Sequence, residues 1–231
     1  MASGLPETSV AETLAEKIVA LQASALPVAT MRKCEELLID VVGLCVTARN
    51  EDYIGSALAG CDDDGPCTAV GHKRTLNAAG AAFVNGTAAH GEDFDDTFEG
   101  GPVHAGAVIV PAVLAACERH HSDGRMALTG TAVGTEVLCR LSLVVPKAVH
   151  RAGFHPTAVF GAMGAAAGVG AALGLNARQI VDALGVAGSM AGGIIEYLAE
   201  GAWTKRLHAG WAAQSGIRAC LLYTSPSPRD S

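Results

Sequence analysis

The uncharged run AVFGAMGAAAGVGAALGL at residues 158–175 constrains the fold more than any other stretch of this 231-residue chain. Alanine and glycine dominate it, so a helix built from it must lie with its backbone close against its neighbours. A second run of the same kind, NAAGAAFVNGTAA, occupies residues 77–89. With 28 glycines and only 4% aromatic residues in a chain that is 50% hydrophobic, the core has to pack through tightly crossed helices and not through rings filling space. Spacings such as Gly164 to Gly168 also suit helix contacts in lipid. Gly and Ala insert into membranes weakly compared with Leu or Ile, so the run reads as a buried helix of a globular protein, with no membrane partner.

Helix signals continue along the chain. Ser9 and Glu12 form a capping box ahead of Leu14, Ile18 and Leu21, and Pro27 closes that helix. Leu37, Leu38, Val41, Val42 and Cys45 line one face of a second, from about 31 to 46. The Ala- and Gly-rich segment gives a third over about 75–89. A helix at about 105–121 contains Pro111, where a kink is expected. Another spans about 125–144 after the Asp123-Gly124 turn, and Asn176 with Gln179 opens a further one. Clear strand alternation is absent, apart from the short CTAVGH at 67–72.

The expectation is an all-α, multi-helix domain over residues 1–219, with its polar chemistry on loops near 90–104, 146–156 and 201–208. After Ala219 the sequence becomes CLLYTSPSPRDS, which has neither helical periodicity nor a cap. It resembles a translated sequencing-library adapter, and residues 220–231 are set apart as foreign to the fold. The alternative is a native disordered tail rich in Ser and Pro.

A formal charge of −7 argues against nucleic acid and anionic membranes, both of which need a basic face. An anionic small molecule stays open wherever cations gather locally. The seven cysteines lack CxxC or other metal-ligand spacing and read as reduced thiols in a cytoplasmic setting. The N-terminal MASGLPETSVAETLAEK has acids where a secretory signal needs a basic start and an apolar run.

Against this background the segment HGEDFDDTFEGGPVHAG, residues 90–106, stands out, because it sets five acids between two histidines with no Lys or Arg beside them. Asp93, Asp95, Thr97 and Glu99 alternate like the start of a calcium loop. The glycine needed at the sixth place is Phe98 and the closing Glu at the twelfth is His104, which excludes an EF-hand. A divalent site from Asp93, Asp96 and His90 or His104 remains an alternative to a hydrated, capped loop. Gly168, Gly170 and Gly174 miss the dinucleotide pattern, and no GxSxG or P-loop is present.

His104 precedes a helix, and His155 lies in RAGFHPTAVFG, where Pro156 holds it extended and Thr157 is placed to cap the next helix. Helix N-termini attract anions, so two histidines at such junctions suit proton transfer beside a bound carboxylate. Taken singly, each fits a satisfied structural histidine better than a functional one. In GAWTKRLHAGWAAQSG the residues Lys205, Arg206 and His208 gather cations in an acidic protein, the best place for a carboxylate. Ordinary solvated cations at a helix start are the alternative.

Four blocks in order, NAAGAAFVNGTAAHGEDFDDT, HAGAVIVPAVLAACE, GFHPTAVFGAMGAAAG and KRLHAGWAAQSGI, resemble the MmgE/PrpD family over about residues 9–219. That family includes 2-methylcitrate dehydratases, cis-aconitate decarboxylases and an iminodisuccinate epimerase. The resemblance implies a helical main domain followed by an α+β lid domain, usually in a homodimer, with no metal or organic cofactor. It implies that Asp93, Thr97, His104, His155 and Lys205 are active-site residues, with Asp93 orienting a histidine or lysine. Asp95 and Asp96 are expected to hold the loop by capping backbone amides.

What the resemblance implies is a lyase acting on a small di- or tricarboxylate through negative charge on a carbon next to a carboxylate. Lys205, with His208, would hold that carboxylate. His104 and His155 would move the proton, and Thr97 and Asp93 would position. The alternatives are an epimerase of the same family and a non-catalytic helical dimerisation module. Family members are about twice as long, so this chain by itself is expected to be inactive and to expose apolar surface where a lid would pack.

Overall fold

The computed structural model describes residues 8–22 and 25–224, and 70% of these residues are helical, as an all-α domain requires. Eleven helices are present among the described residues: α1 (Val10–Gln22), α2 (Val28–Ala48), α3 (Asp52–Ala59), α4 (Ala78–Gly91), α5 (Gly106–His120), α6 (Gly124–Val144), α7 (Ala148–Arg151), α8 (Pro156–Ala172), α9 (Ala177–Met190), α10 (Tyr197–Glu200) and α11 (Thr204–Thr224). An antiparallel hairpin, β1 (Asp64–Thr68) with β2 (Thr75–Leu76), sits between α3 and α4. The CTAVGH segment supplies the end of β1. The buried Asn85 of α4 latches the hairpin loop, accepting from Val70 N–H at 2.9 Å and donating to Thr68 O at 2.8 Å.

Local capping chemistry fixes the helix starts. The Ser9 N–H donates to the Glu12 carboxylate at 2.7 Å, and the Glu12 N–H donates back to the Ser9 hydroxyl at 3.2 Å. Asn77 caps α4 and Asp123 caps α6 in the same way, by accepting from Gly80 and Met126 N–H. Asn176 and Gln179 complete a reciprocal box at α9. The third expected helix begins at Ala78 and not at Thr75, because Thr75 and Leu76 are taken by the hairpin.

The 158–175 run becomes α8, surrounded by α5, α6, α9 and α11 and buried on every side over most of its length. Glycines set those crossings. A Cβ on Gly168 would lie 2.7 Å from the Gly130 carbonyl oxygen of α6, and one on Gly134 would lie 2.6 Å from the Ile109 side chain of α5. Where α4 meets α11, a Cβ on Gly210 would collide with the Phe83 carbonyl oxygen. These are distances at which backbones touch. Among the described residues one helix, α6, is long and apolar enough to cross a membrane, and half of its most apolar window is buried within the protein.

One expectation about the last segment changes. Lys205, Arg206 and His208 lie in the first turns of α11 and not in a loop. That helix runs on to Thr224, past Ala219, and Cys220 is fully buried with its thiol donating to Ala166 O at 3.3 Å. Residues 225–231 lie outside the described residues.

Candidate active site

Four helix ends converge: the C-terminus of α4 and the N-termini of α5, α8 and α11. His90 is in the last turn of α4, which ends with Asp93 in the left-handed region at φ 61°. Aspartate tolerates that conformation better than most residues. The reversal it makes brings Asp95 back beneath the helix, where its Oδ2 lies 2.7 Å from His90 Nδ1, both side chains fully buried. Asp96 accepts from the N–H groups of Ala105 at 3.2 Å and Gly106 at 2.7 Å, satisfying orphan donors at the start of α5. The Thr157 hydroxyl of α8 accepts from the His104 N–H at 3.2 Å. Thr157 therefore ties α8 to α5 instead of capping α8, and Asp96 caps as expected while Asp95 does not.

The result is a cluster of imidazoles. His90 lies 4.8 Å from His104 and 5.5 Å from His155, measured between ring centroids, and its ring is nearly parallel to that of His155. His155 Nδ1 is 3.2 Å from His208 Nδ1, and Tyr197 sits edge-on to both of those rings. Lys205 Nζ donates to Asp93 Oδ1 at 2.5 Å. Gly193, Tyr197, Leu207, His208 and Trp211 line an adjoining cavity of about 540 Å³. The neighbouring surface is apolar and open, with Phe94, Ile194, Leu198 and Trp211 all exposed.

Burial and mutual repulsion divide the histidines by charge. Burial, reinforced by His90 and His208, drives His155 down to about 2, and burial lowers His208 to about 4, so both are neutral bases at ordinary pH. Burial pulls His104 the same way, but Asp95 outweighs it and raises His104 above the usual imidazole value. Burial opposes the charge of Asp95 and Asp93, yet His104 and His90 hold the first, and Lys205 the second, below the usual carboxylate range. One imidazole whose charged form is favoured by a carboxylate thus stands beside two held neutral, a division that suits proton transfer.

Of the residues singled out in the sequence, His104, His155, His208, Asp93 and Lys205 come together here. Thr97 is exposed and hydrogen-bonds to none of these side chains. Arg206 turns away, donating to Gly91 O at 2.8 Å with its guanidinium 5.0 Å over the Tyr53 ring, so it anchors α11 to the end of α4. His90, Asp95 and Tyr197 complete the cluster without having been assigned to it. For His90 and Asp95 the sequence carried one signal, their place in the HGEDFDD segment. Tyr197 carried none, since its place is defined only by its ring contacts with His155 and His208. One ligand atom from each of His90, Asp93, Asp95 and His104 falls within 4.8 Å of the others, close enough to hold a divalent ion. The Lys205 ammonium already neutralises Asp93, so an ion there would have to displace it.

A family profile described as the MmgE/PrpD N-terminal domain matches residues 12–225. The cis-aconitate decarboxylase-like protein oryM of Aspergillus oryzae is 28% identical over 228 residues, covering 94% of this chain and 47% of that protein. The cis-aconitate decarboxylase of Aspergillus terreus is 28% identical over 211 residues, covering 85% and 42%. The human cis-aconitate decarboxylase is 39% identical over 146 residues, covering 62% and 30%. The chain spans less than half the length of each.

Proposed function

This chain belongs to the MmgE/PrpD family, and on that footing we propose that it forms the proton-transfer half of a lyase that decarboxylates a small polycarboxylate such as cis-aconitate. The observation that carries the reading is the pairing of one charge-stabilised imidazole, His104, with the neutral pair His155 and His208 beside a lysine. Relatives named for cis-aconitate decarboxylation favour loss of carbon dioxide over loss of water.

In the proposed reaction the Lys205 ammonium leaves or shares Asp93 to hold a retained carboxylate of the substrate. The bond to the departing carboxylate breaks, carbon dioxide leaves, and the electron pair stays on the carbon. The imidazolium of His104 gives that carbon a proton and becomes neutral. Neutral His155, supported by His208, offers hydrogen bonds without adding positive charge that would compete for the carboxylates. Asp93 positions Lys205, and Thr97 lies on the same loop as a second positioning residue. His208 serves both His155 and the carboxylate.

We further propose cytoplasmic action as a homodimer without metal or organic cofactor. Seven unpaired cysteines support a reducing compartment. The exposed Phe94, Ile194, Leu198 and Trp211 support a lid that closes over the site.

The test is to amplify the gene from genomic DNA across the codon for Ala219, express the reading frame found there, and follow carbon dioxide release from cis-aconitate. Turnover that drops by about a hundredfold or more in His104→Ala supports the assignment. Full activity in that variant overturns it. The same sequencing tests the foreign origin proposed for residues 220–231.

A further inference from the structure

Asp95 faces two histidines but is bonded to one. Its Oδ2 meets His90 Nδ1 at 2.7 Å, while its Oδ1 lies 3.4 Å from His104 Nδ1, longer than a formed hydrogen bond. Oδ1 and His104 Nδ1 are both buried and have no other hydrogen-bond partner. Two buried polar atoms facing each other unpaired are costly, and a closure of a few tenths of an ångström would pair them.

We propose that Asp95 is a positioning residue shared by His90 and His104, fixing a proton on the Nδ1 of both rings and leaving Nε2 of His104 as the nitrogen that meets substrate. A carboxylate only accepts, so any ring nitrogen bonded to it must carry hydrogen. The bond to His90 is formed at rest. The bond to His104 shortens when that ring carries positive charge and lengthens when it gives its proton away, so Asp95 steadies the charged ring without itself exchanging a proton. His90, with its ring against His155, forms the inner wall that holds Asp95 in line. The raised position of His104 on the pH scale agrees with this arrangement.

The consequence for turnover rests on the role proposed for His104, whereas the tautomers do not, and the experiment separates the two. In long-range proton–nitrogen spectra of the 231-residue chain labelled at histidine nitrogen, His90 and His104 should both carry hydrogen on Nδ1 from pH 7 to 9. A bare Nδ1 on either ring in the unsubstituted protein overturns the proposal, so it does not depend on a variant folding. In Asp95→Asn the amide offers one acceptor oxygen and a donor nitrogen, so it can serve only one Nδ1–H, and the other ring should move its proton to Nε2. Both rings keeping Nδ1–H in that variant also overturns it. In the expressed reading frame, Asp95→Asn should lower kcat by about a hundredfold and change KM far less, because a neutral amide no longer supports the charged form of His104 that gives up the proton. An equal change in KM and an unchanged kcat would assign Asp95 to binding and overturn the positioning role. If the unsubstituted protein decarboxylates nothing, the functional reading fails while the tautomers still decide this one.

Discussion

His155 Nδ1 and His208 Nδ1 lie 3.2 Å apart, so the two buried imidazoles share one proton and hold opposite tautomers. One therefore presents a bare Nε2 and the other an Nε2–H, and removing either ring leaves its partner's nitrogen unsatisfied. His155→Gln and His208→Gln should each destabilise the protein. The double variant should cost about 1–2 kcal/mol less than the sum, measured by urea unfolding. Simple additivity would mean that the contact carries no coupling.

The same histidines set the pH response. The folded values of His155 and His208 lie below the unfolded one, so above about pH 6.5 neither binds protons differently in the two states. As pH falls, the unfolded chain takes up protons that the folded one refuses. Stability drops by about 1.4 kcal/mol per pH unit for each ring. His208 stops contributing below its folded value of about 4, and His155 continues to about 2. His104 acts oppositely: its folded value is raised, so its contribution is complete below about pH 6.5 and is lost as pH rises through the folded value. Thermal unfolding from pH 4 to 9 should show a maximum near neutrality, and His155→Gln should flatten its acid side. An acid side left unchanged by that variant would contradict the assignment.

Asp96 supplies both acceptors to the first N–H groups at the start of α5. Asp96→Ala should cost about 1–2 kcal/mol. Amide exchange should speed up at Ala105 and Gly106 before it does elsewhere in α5. Protection left intact at those two amides would show that the cap is dispensable.

Glycine substitutions should separate sharply by position. Gly210→Ala drives a methyl into the Phe83 carbonyl and toward Thr87, with backbone on the receiving side, and should cost about 3 kcal/mol or more by urea unfolding. Gly43→Ala on α2, where nothing lies within 4 Å of the added carbon, should stabilise by about 0.5–1 kcal/mol. Similar effects at both sites would mean that α4 and α11 do not cross as closely as described.

The helices were legible because their signals are local. A cap needs only residues three apart, as at Ser9 and Glu12 or Asn176 and Gln179, and a run of Ala and Gly already limits how near its neighbours must come. The short α3 and α10 were not legible, since neither is long enough to display a periodicity. The hairpin captured Thr75 and Leu76 because Asn85, far along α4, binds its loop.

For the site, the sequence by itself determined the inventory: an acidic segment between two histidines, a histidine before Pro156, and a cationic cluster near Lys205. Only the tertiary structure decided who meets whom. Asp95 and Asp96 are adjacent and chemically identical, yet one is turned to histidines and the other to the amides of α5, because the left-handed residue at Asp93 sets the direction in which the chain returns. Lys205 reaches Asp93 and Arg206 reaches Tyr53 for a similar reason, since successive residues on α11 point about 100° apart. Charge followed from the same placement: burial leaves His155 and His208 neutral, and the nearness of Asp95 favours the charged form of His104, quantities that depend on distances between residues 9 to 53 positions apart and so lie outside any local pattern.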